Sequence, residues 1–262
     1  MRPSIVLAVV SRDWDETLRN RLLLLTIAVP PVVLTIFPLI IGAVVTGHPL
    51  PADIARQTLA QRPDWAALQP AELTAAFGIQ QFLVFFLMMP AYIPLSIASY
   101  SIIGEKTSRS LEAVLATPIR TLELLAGKSL SALLPGVLIG WLTYFALVLL
   151  TGILYSPRLV GVVVDGSWLA GVFLLGPAVG LLSVVAGVIV SARVNDPRTA
   201  QQIGGIIIVP LVALAIVQAT ATLILGGVGF AISAAVVFAL SVIGLRIGAS
   251  LFGRETILTR WR

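Results

Sequence analysis

Six apolar runs, each of 23 to 26 residues, leave this chain little choice of fold. They cover residues 22–45, 79–103, 129–154, 168–190, 203–225 and 228–251. A helix needs about 20 apolar residues to cross the hydrocarbon core of a bilayer, and it satisfies its own backbone hydrogen bonds there. With only 11% charged residues, the 262-residue chain could not solvate the surface of a water-soluble fold. The sequence therefore predicts one all-α polytopic membrane domain, residues 1–262, with six transmembrane helices.

The basic residues predict how these helices are oriented. Fourteen of the 17 lysine and arginine residues fall on one side of a six-span topology, together with both termini. The other side holds Arg56, Arg62 and Arg158. Because short loops rich in lysine and arginine stay in the cytoplasm, we predict a multi-pass protein of the cell membrane with both termini cytoplasmic. The net charge of +5 is then explained by anchoring to the lipid bilayer, and no nucleic-acid partner is predicted.

Residues 2–21 mix charged side chains with a broken apolar stripe. The stripe consists of Ile5, Val9, Trp14 and Leu18. A helix of this kind lies in the membrane interface, where a tryptophan ring sits at the level of the lipid headgroups. We therefore predict an N-terminal interfacial helix before the first span. The alternative is an unstructured tail.

The connection between the first two spans, residues 46–78, is the longest on the side opposite the termini. Within it, residues 51–60 and 70–78 each begin with a proline followed closely by an acidic residue, which is typical of the start of a short helix. The only histidine, His48, lies beside Pro49. A single histidine without a second ligand predicts a loop position rather than a metal site.

Residues 104–128 form a charged segment between two apolar runs, with seven charges where the flanks have none. Three residues in it have the i, i+3, i+4 spacing of one apolar helix face: Leu111, Val114 and Leu115. Either Ser108 or Ser110 is a candidate for the start of this short helix. Thr117-Pro118 ends it, because proline cannot continue the backbone hydrogen bonding. A second helix is predicted from about Thr121 into the third span.

The second span has a polar side of serines and tyrosines. Our candidates for a translocation path are Tyr92, Ser96, Ser99 and Tyr100. Such side chains either line a substrate path or form hydrogen bonds between helices. The sequence leaves both interpretations open.

No catalytic constellation is visible in the sequence. It has no carboxylate pair within the spans, no GxSxG or HExxH motif and no cysteine. Gly127-Lys128-Ser129 resembles the end of a phosphate-binding loop, but Leu122 stands where that loop needs a glycine. We therefore predict no enzyme activity and no cofactor or metal on this chain. The spans also lack the mid-membrane charge of most ion-coupled carriers, so the energy for transport has to come from another protein.

Four short motifs in the charged segment point to one family of transporters. They are Gly104-Glu105-Lys106, Ser110-Leu111-Glu112, Leu115-Ala116-Thr117-Pro118 and Gly127-Lys128. With this pattern the segment resembles the first cytoplasmic loop of ABC-2-type ABC transporter permeases. Residues 16–21 resemble the same family, especially its sodium-efflux-like branch, and so do residues 198–202.

The resemblance implies the membrane-spanning permease subunit of an ATP-driven ABC exporter. The short helix would then be a coupling helix that docks on a separate ATPase subunit, which binds ATP and Mg²⁺. A second permease copy or a paralogue would complete the transporter. The residues implied at the ATPase interface are Glu105, Lys106, Arg109, Leu111, Glu112, Val114, Leu115, Thr117 and Pro118.

Two other classes of protein are alternatives to this hypothesis. A stand-alone secondary carrier or channel is disfavoured by the lack of mid-membrane charge and of an obvious inverted repeat. A membrane-embedded enzyme is disfavoured by the missing catalytic constellation. For the short helix itself, the alternative is an interfacial helix that rests on lipid headgroups.

Overall fold

The computed structural model describes residues 2–45, 47–108, 119, 121–191, 193–210, 213 and 226–251. Within these ranges all regular structure is helical and no strand occurs. The predicted all-α class is therefore confirmed. Most of the predicted coupling helix, most of the fifth predicted span and the C-terminal tail lie outside the described residues.

Five described helices are long and apolar enough to cross a membrane. They are Arg21–Val45 (span 1), Pro70–Thr107 (span 2), Thr121–Leu154 (span 3), Gly166–Ser191 (span 4) and Gly227–Leu251 (the C-terminal span). Each contains one of the predicted apolar runs. The remaining predicted run, residues 203–225, lies mostly outside the part of the chain that the structure describes, so the count of six stays a prediction.

Span 2 begins nine residues before its predicted start and absorbs one of the two short helices predicted ahead of it. The helix starts at Pro70, and the backbone N–H of Gln69 donates to Glu72 Oε2 at 3.1 Å. It then continues through a 3₁₀ turn, Val84–Met88, to Thr107. The prediction of a separate short helix is therefore wrong, because no residue after this start signal breaks the backbone hydrogen bonding before the membrane run begins.

Helix α1, Pro3–Arg19, precedes span 1 and packs against the beginning of span 3. Val10 and Asp13 are buried on one side of it. Leu7, Trp14 and Leu18 form an exposed stripe at helical spacing. The structure thus has a helix where an unstructured tail was the alternative, and its place in the membrane interface stays a prediction.

Two connections pack together into a cap at the end of the bundle opposite α1. The cap contains helix Ala52–Gln61, the 3₁₀ turn Pro63–Ala67 and helix Pro157–Val163. The first of these helices was predicted from the sequence and the last was not. Trp65, Leu159 and Val162 are buried in the cap with Ala75 and Ala76 of span 2. Removal of these side chains from water holds the connections in place.

Arg62, between helix Ala52–Gln61 and the 3₁₀ turn, pairs with Asp64 and, at 3.5 Å, with Asp165 just before span 4. Its guanidinium lies 4.8 Å from the centroid of the Trp65 ring and donates to both carboxylate oxygens of Asp64, at 3.0 and 2.7 Å. The hydrogen bond from Arg62 lowers the pKa of Asp64. A carboxylate with a lowered folded-state pKa contributes its full stabilisation above the ordinary value of 3.8 and loses it as the pH falls through the lowered pKa.

We therefore expect Asp64→Asn to be less stable than the parent at neutral pH and equally stable at strongly acidic pH. The reason is that the parent loses the same charged partner when Asp64 is protonated. Melting temperatures of both proteins from neutral to acidic pH check this. A difference that stays constant over the whole range would contradict the assignment.

Candidate coupling site at the base of the bundle

Three elements meet at the base of the bundle: α1, the end of span 2 and the beginning of span 3. The last two are the arms on either side of the predicted coupling helix. Four charged side chains converge between the three elements, and we call them the basal ion cluster: Arg12, Asp13, Glu105 and Lys128. Two are positive and two are negative, so the cluster is neutral as a whole.

Lys128 of span 3 lies at the centre of the cluster and contacts the other two elements. Its Nζ is 3.3 Å from Asp13 Oδ1 on α1 and donates to Ser101 Oγ of span 2 at 2.7 Å. It is also 3.1 Å from Glu105 Oε2, an ion pair whose alignment falls short of a hydrogen bond. The Ser131 hydroxyl donates to Asp13 Oδ2 at 2.8 Å. The two arms of the predicted coupling helix are thus joined to each other and to α1.

Three members of the cluster are almost completely removed from solvent. The side chains of Asp13, Glu105 and Lys128 are only 1%, 2% and 3% exposed, whereas Arg12 is 45% exposed and reaches Glu105 Oε1 at 3.3 Å. A buried charge is tolerated only when a partner compensates for its lost hydration. The cluster therefore holds α1, span 2 and span 3 in one arrangement, because moving them apart would leave a buried charge without its partner.

A second ion pair and a glycine bring α1 close to span 3. The backbone N–H and the guanidinium of Arg2 donate to Glu123, whose side chain is fully buried, at 2.9 to 3.2 Å. A β-carbon on Gly127 would lie 2.7 Å from Val9 Cβ. Only glycine therefore permits this approach. The Gly127-Lys128 pair resembles the end of a phosphate-binding loop, but here it positions α1. Gly127 lets α1 approach span 3 closely, and Lys128 forms an ion pair with Asp13 of α1.

Trp14 adds a hydrogen bond that compensates for a proline in span 3. Its indole N–H donates to the carbonyl oxygen of Ser131 at 2.9 Å. In a regular helix that carbonyl would accept from residue 135, which is a proline and has no N–H. The N-terminal helix thus completes the backbone hydrogen bonding of span 3, as neighbouring groups commonly do for prolines in membrane helices.

Of the nine residues predicted at the ATPase interface, the structure describes Glu105 and Lys106. Glu105 is buried in the basal ion cluster, so its burial disfavours a direct contact with a partner. Lys106 Nζ donates to the carbonyl oxygen of Val194 at 3.2 Å, which ties span 2 to the connection after span 4. The other seven, Arg109, Leu111, Glu112, Val114, Leu115, Thr117 and Pro118, lie outside the described residues and stay predictions.

The four candidate path residues lie on span 2 inside the bundle. Ser96 and Ser99 are fully buried, and their hydroxyls have no hydrogen-bond partner among the described residues. Tyr92 and Tyr100 are half-buried beside an apolar cluster that includes Ile97. The interpretation that the two serines form hydrogen bonds between helices finds no support in the described part of the chain.

Sequence reasoning missed most of the basal ion cluster. Arg12 and Asp13 were placed in an interfacial helix, and Lys128 was noted for its part in the Gly127-Lys128 motif and for a resemblance to a phosphate-binding loop, not as a partner of α1. The available signal was the position of single charges at the ends of apolar runs. A charge there is either solvated or paired inside the protein, and only the packing of α1 decides between the two.

A protein-family model matches most of the chain. The family is described as ABC-2 family transporter protein, and the match covers residues 64–247, more than two-thirds of the chain. The matched range includes spans 2 to 4, the charged segment between spans 2 and 3, and most of the C-terminal span. Searches of curated proteins and of solved structures gave no match.

Proposed function

Because the chain belongs to the ABC-2 transporter family, we propose that it is the permease subunit of an ATP-driven exporter powered by a separate ATPase subunit. The chain is a multi-pass membrane protein and a transport component rather than a catalyst. In the proposal, ATP and Mg²⁺ bind to the ATPase subunit, and a second permease copy or a paralogue completes the path. The base of the bundle faces the cytoplasm of the cell.

The observation that carries this proposal is the neutral, buried ion cluster between the two arms of the charged segment. A coupling helix transmits motion only if its arms are stiff. Glu105 and Lys128 join the arms where they enter the bundle, and Asp13 adds α1 to the same rigid unit. We assign Glu105 a positioning role in this unit and keep Arg109, Leu111 and Glu112 as the proposed contacts with the ATPase.

The path in this proposal runs beside span 2. Ser96 and Ser99 are buried without hydrogen-bond partners among the described residues, so separation of the helices around them would present two hydroxyls to a solute. The described spans carry no acidic or basic side chain near their midpoints. Coupling to an ion gradient through such a group is therefore not part of the mechanism that we propose.

Leu111→Asp is expected to weaken binding of the ATPase subunit by about tenfold or more, because an apolar contact at the centre of a docking surface dominates its affinity. The measurement is co-purification of the ATPase with tagged permease, together with the increase in ATP hydrolysis that the permease causes. Thr117→Ala, at the end of the same short helix, removes only a hydroxyl from the predicted interface and is expected to have a much smaller effect, since few residues dominate the affinity of an interface. Gly161→Ala, which lies in the cap outside the interface, is the control and is expected to change neither. Normal assembly and normal hydrolysis with Leu111→Asp would overturn the docking role.

A further inference from the structure

Irregular helix turns occur in spans 2 and 4 where prolines follow. Span 2 has its 3₁₀ turn, Val84–Met88, just before Pro90. Span 4 has a π turn, Gly171–Leu175, just before Pro177. Stretches of 3₁₀ helix within a longer helix often mark hinges, π turns are frequent at functional sites, and prolines are the commonest cause of kinks.

Packing brings these turns to one level of the bundle. A β-carbon on Gly140 of span 3 would lie 3.6 Å from the Pro90 ring, and one on Gly176 of span 4 would lie 3.3 Å from it. A cavity of about 10 Å³, room for one water at most, lies at the same place and is lined by residues of all three spans. The carbonyl oxygen of Pro90, which loses its helical donor because residue 94 is also proline, faces Gly180.

The π turn of span 4 is held partly by a side chain from span 3. The backbone N–H of Gly176 bonds to the carbonyl oxygen of Gly171, five residues earlier. The next bond of this kind would join residue 177 to Val172, but Pro177 has no N–H. Instead the indole N–H of Trp141 donates to the carbonyl oxygen of Val172 at 3.3 Å. A carbonyl held in this way can be released without breaking a backbone hydrogen bond of its own helix.

We propose that this level is a mid-span hinge, formed by Pro90, Trp141 and Pro177, about which the two halves of spans 2 to 4 turn relative to each other. This inference rests on the proposed function for the source of motion, because the ATPase subunit would move the base of the bundle.

Contacts between elements hold both ends. At the base, the basal ion cluster joins spans 2 and 3, and Lys106 of span 2 bonds to Val194 just after span 4. At the other end the cap packs against span 2, and Arg62 lies 3.5 Å from Asp165 just before span 4. Bending therefore concentrates at the level where the backbone hydrogen bonding is already interrupted.

Two single-cysteine reporters test the hinge, because the chain has no cysteine of its own. Ser99→Cys lies on the base side of the hinge and Thr151→Cys on the cap side. Both parent hydroxyls are fully buried and lack a hydrogen-bond partner in the described ranges, so the two variants are matched. In the complex with its ATPase, we expect N-ethylmaleimide to modify Ser99→Cys about tenfold faster after trapping with ATP and vanadate, and Thr151→Cys at an unchanged rate.

Two further substitutions, each combined with Ser99→Cys, are expected to act in opposite directions on this labelling. Pro177→Ala supplies the missing N–H to span 4 and should slow the labelling of the thiol at position 99. Trp141→Phe keeps an aromatic ring but removes the donor to Val172, and should speed it. Combining them should return the rate towards that of Ser99→Cys alone. Simple damage to the fold would speed labelling with either substitution. If both substitutions changed the labelling rate in the same direction, the hinge would be overturned.

The same reporters separate failure of the hinge from failure of the proposed function. Labelling of the permease without ATPase measures spontaneous opening, and the hinge still predicts opposite effects of Pro177→Ala and Trp141→Phe there. If those effects appear but no ATPase co-purifies, the hinge stands and the proposed function fails. If the ATPase binds but neither substitution changes the labelling at position 99, the hinge is wrong and the proposed function stands.

Discussion

Lys128→Met is expected to destabilise the protein by about 3–5 kcal/mol, the usual cost of removing one partner from a buried ion pair. Methionine keeps the length of the side chain but not its charge. Arg12 still reaches Glu105, but Asp13 keeps only the Ser131 hydroxyl as a side-chain partner among the described residues. A carboxylate that is 1% exposed would then be buried without a counter-ion. The measurement is the melting temperature of the detergent-purified protein at neutral pH.

A neutral version of the cluster is the control for this prediction. Asp13→Asn, Glu105→Gln and Lys128→Met together remove all three buried charges and keep the side chains near their original size. Replacement of a whole buried ionic group by neutral side chains is often harmless to stability or even favourable. Arg12 loses its partner in this variant, but it is 45% exposed and can remain hydrated.

We therefore expect the triple variant to melt above Lys128→Met and close to the parent. If Lys128→Met melts with the parent, the cluster does not hold α1. If the triple variant is as unstable as the single one, lost packing and not an uncompensated charge explains the damage. Either result would remove the physical basis for treating α1 and the two arms as one rigid unit.

The spans and their approximate ends were predictable from the sequence, because the bilayer imposes a length and a composition on every helix that crosses it. The five described spans lie where the apolar runs predicted them. The start of span 2 was not predictable in the same way. Ala75 and Ala76 at its beginning are buried against the cap rather than in the membrane. The number of apolar residues in a sequence window does not tell these two kinds of burial apart.

The basal ion cluster was not predictable, since its members are far apart in the chain. Asp13 and Lys128 are 115 residues apart and meet only because Gly127 lets α1 cross span 3 closely. The sequence shows Glu105 as one charge in a charged segment, which is typical of a solvated surface. Its burial depends on where α1 packs. The π turn of span 4 was not predictable for the same reason. The carbonyl oxygen of Val172 lacks a donor in its own helix and accepts from Trp141 of span 3.

Gly136→Ala is expected to cost about 1–3 kcal/mol, and Gly136→Leu to leave little folded protein, because both force extra atoms into a filled space. A β-carbon at Gly136 would overlap the ring of Pro94, and the backbone nitrogen of that proline would lie 3.3 Å away. Neither neighbour is the flexible end of a long side chain. Spans 2 and 3 would have to separate just on the base side of the proposed hinge, which melting temperature and yield of folded protein both measure.

Two further variants test whether the loss of stability comes from the close helix crossing at Gly136 or from replacing any helical glycine. Gly161→Ala adds the same methyl group to helix Pro157–Val163, where nothing lies within 4 Å of the new carbon. It is expected to be neutral or to stabilise by up to about 1 kcal/mol, as alanine usually does in a helix. Pro94→Ala removes the ring atoms that face Gly136. In that background Gly136→Ala should therefore cost much less than alone, since contacting residues are not additive. If Gly136→Ala lowers stability equally with Pro94 present and in the Pro94→Ala background, the ring of Pro94 does not explain why position 136 needs glycine.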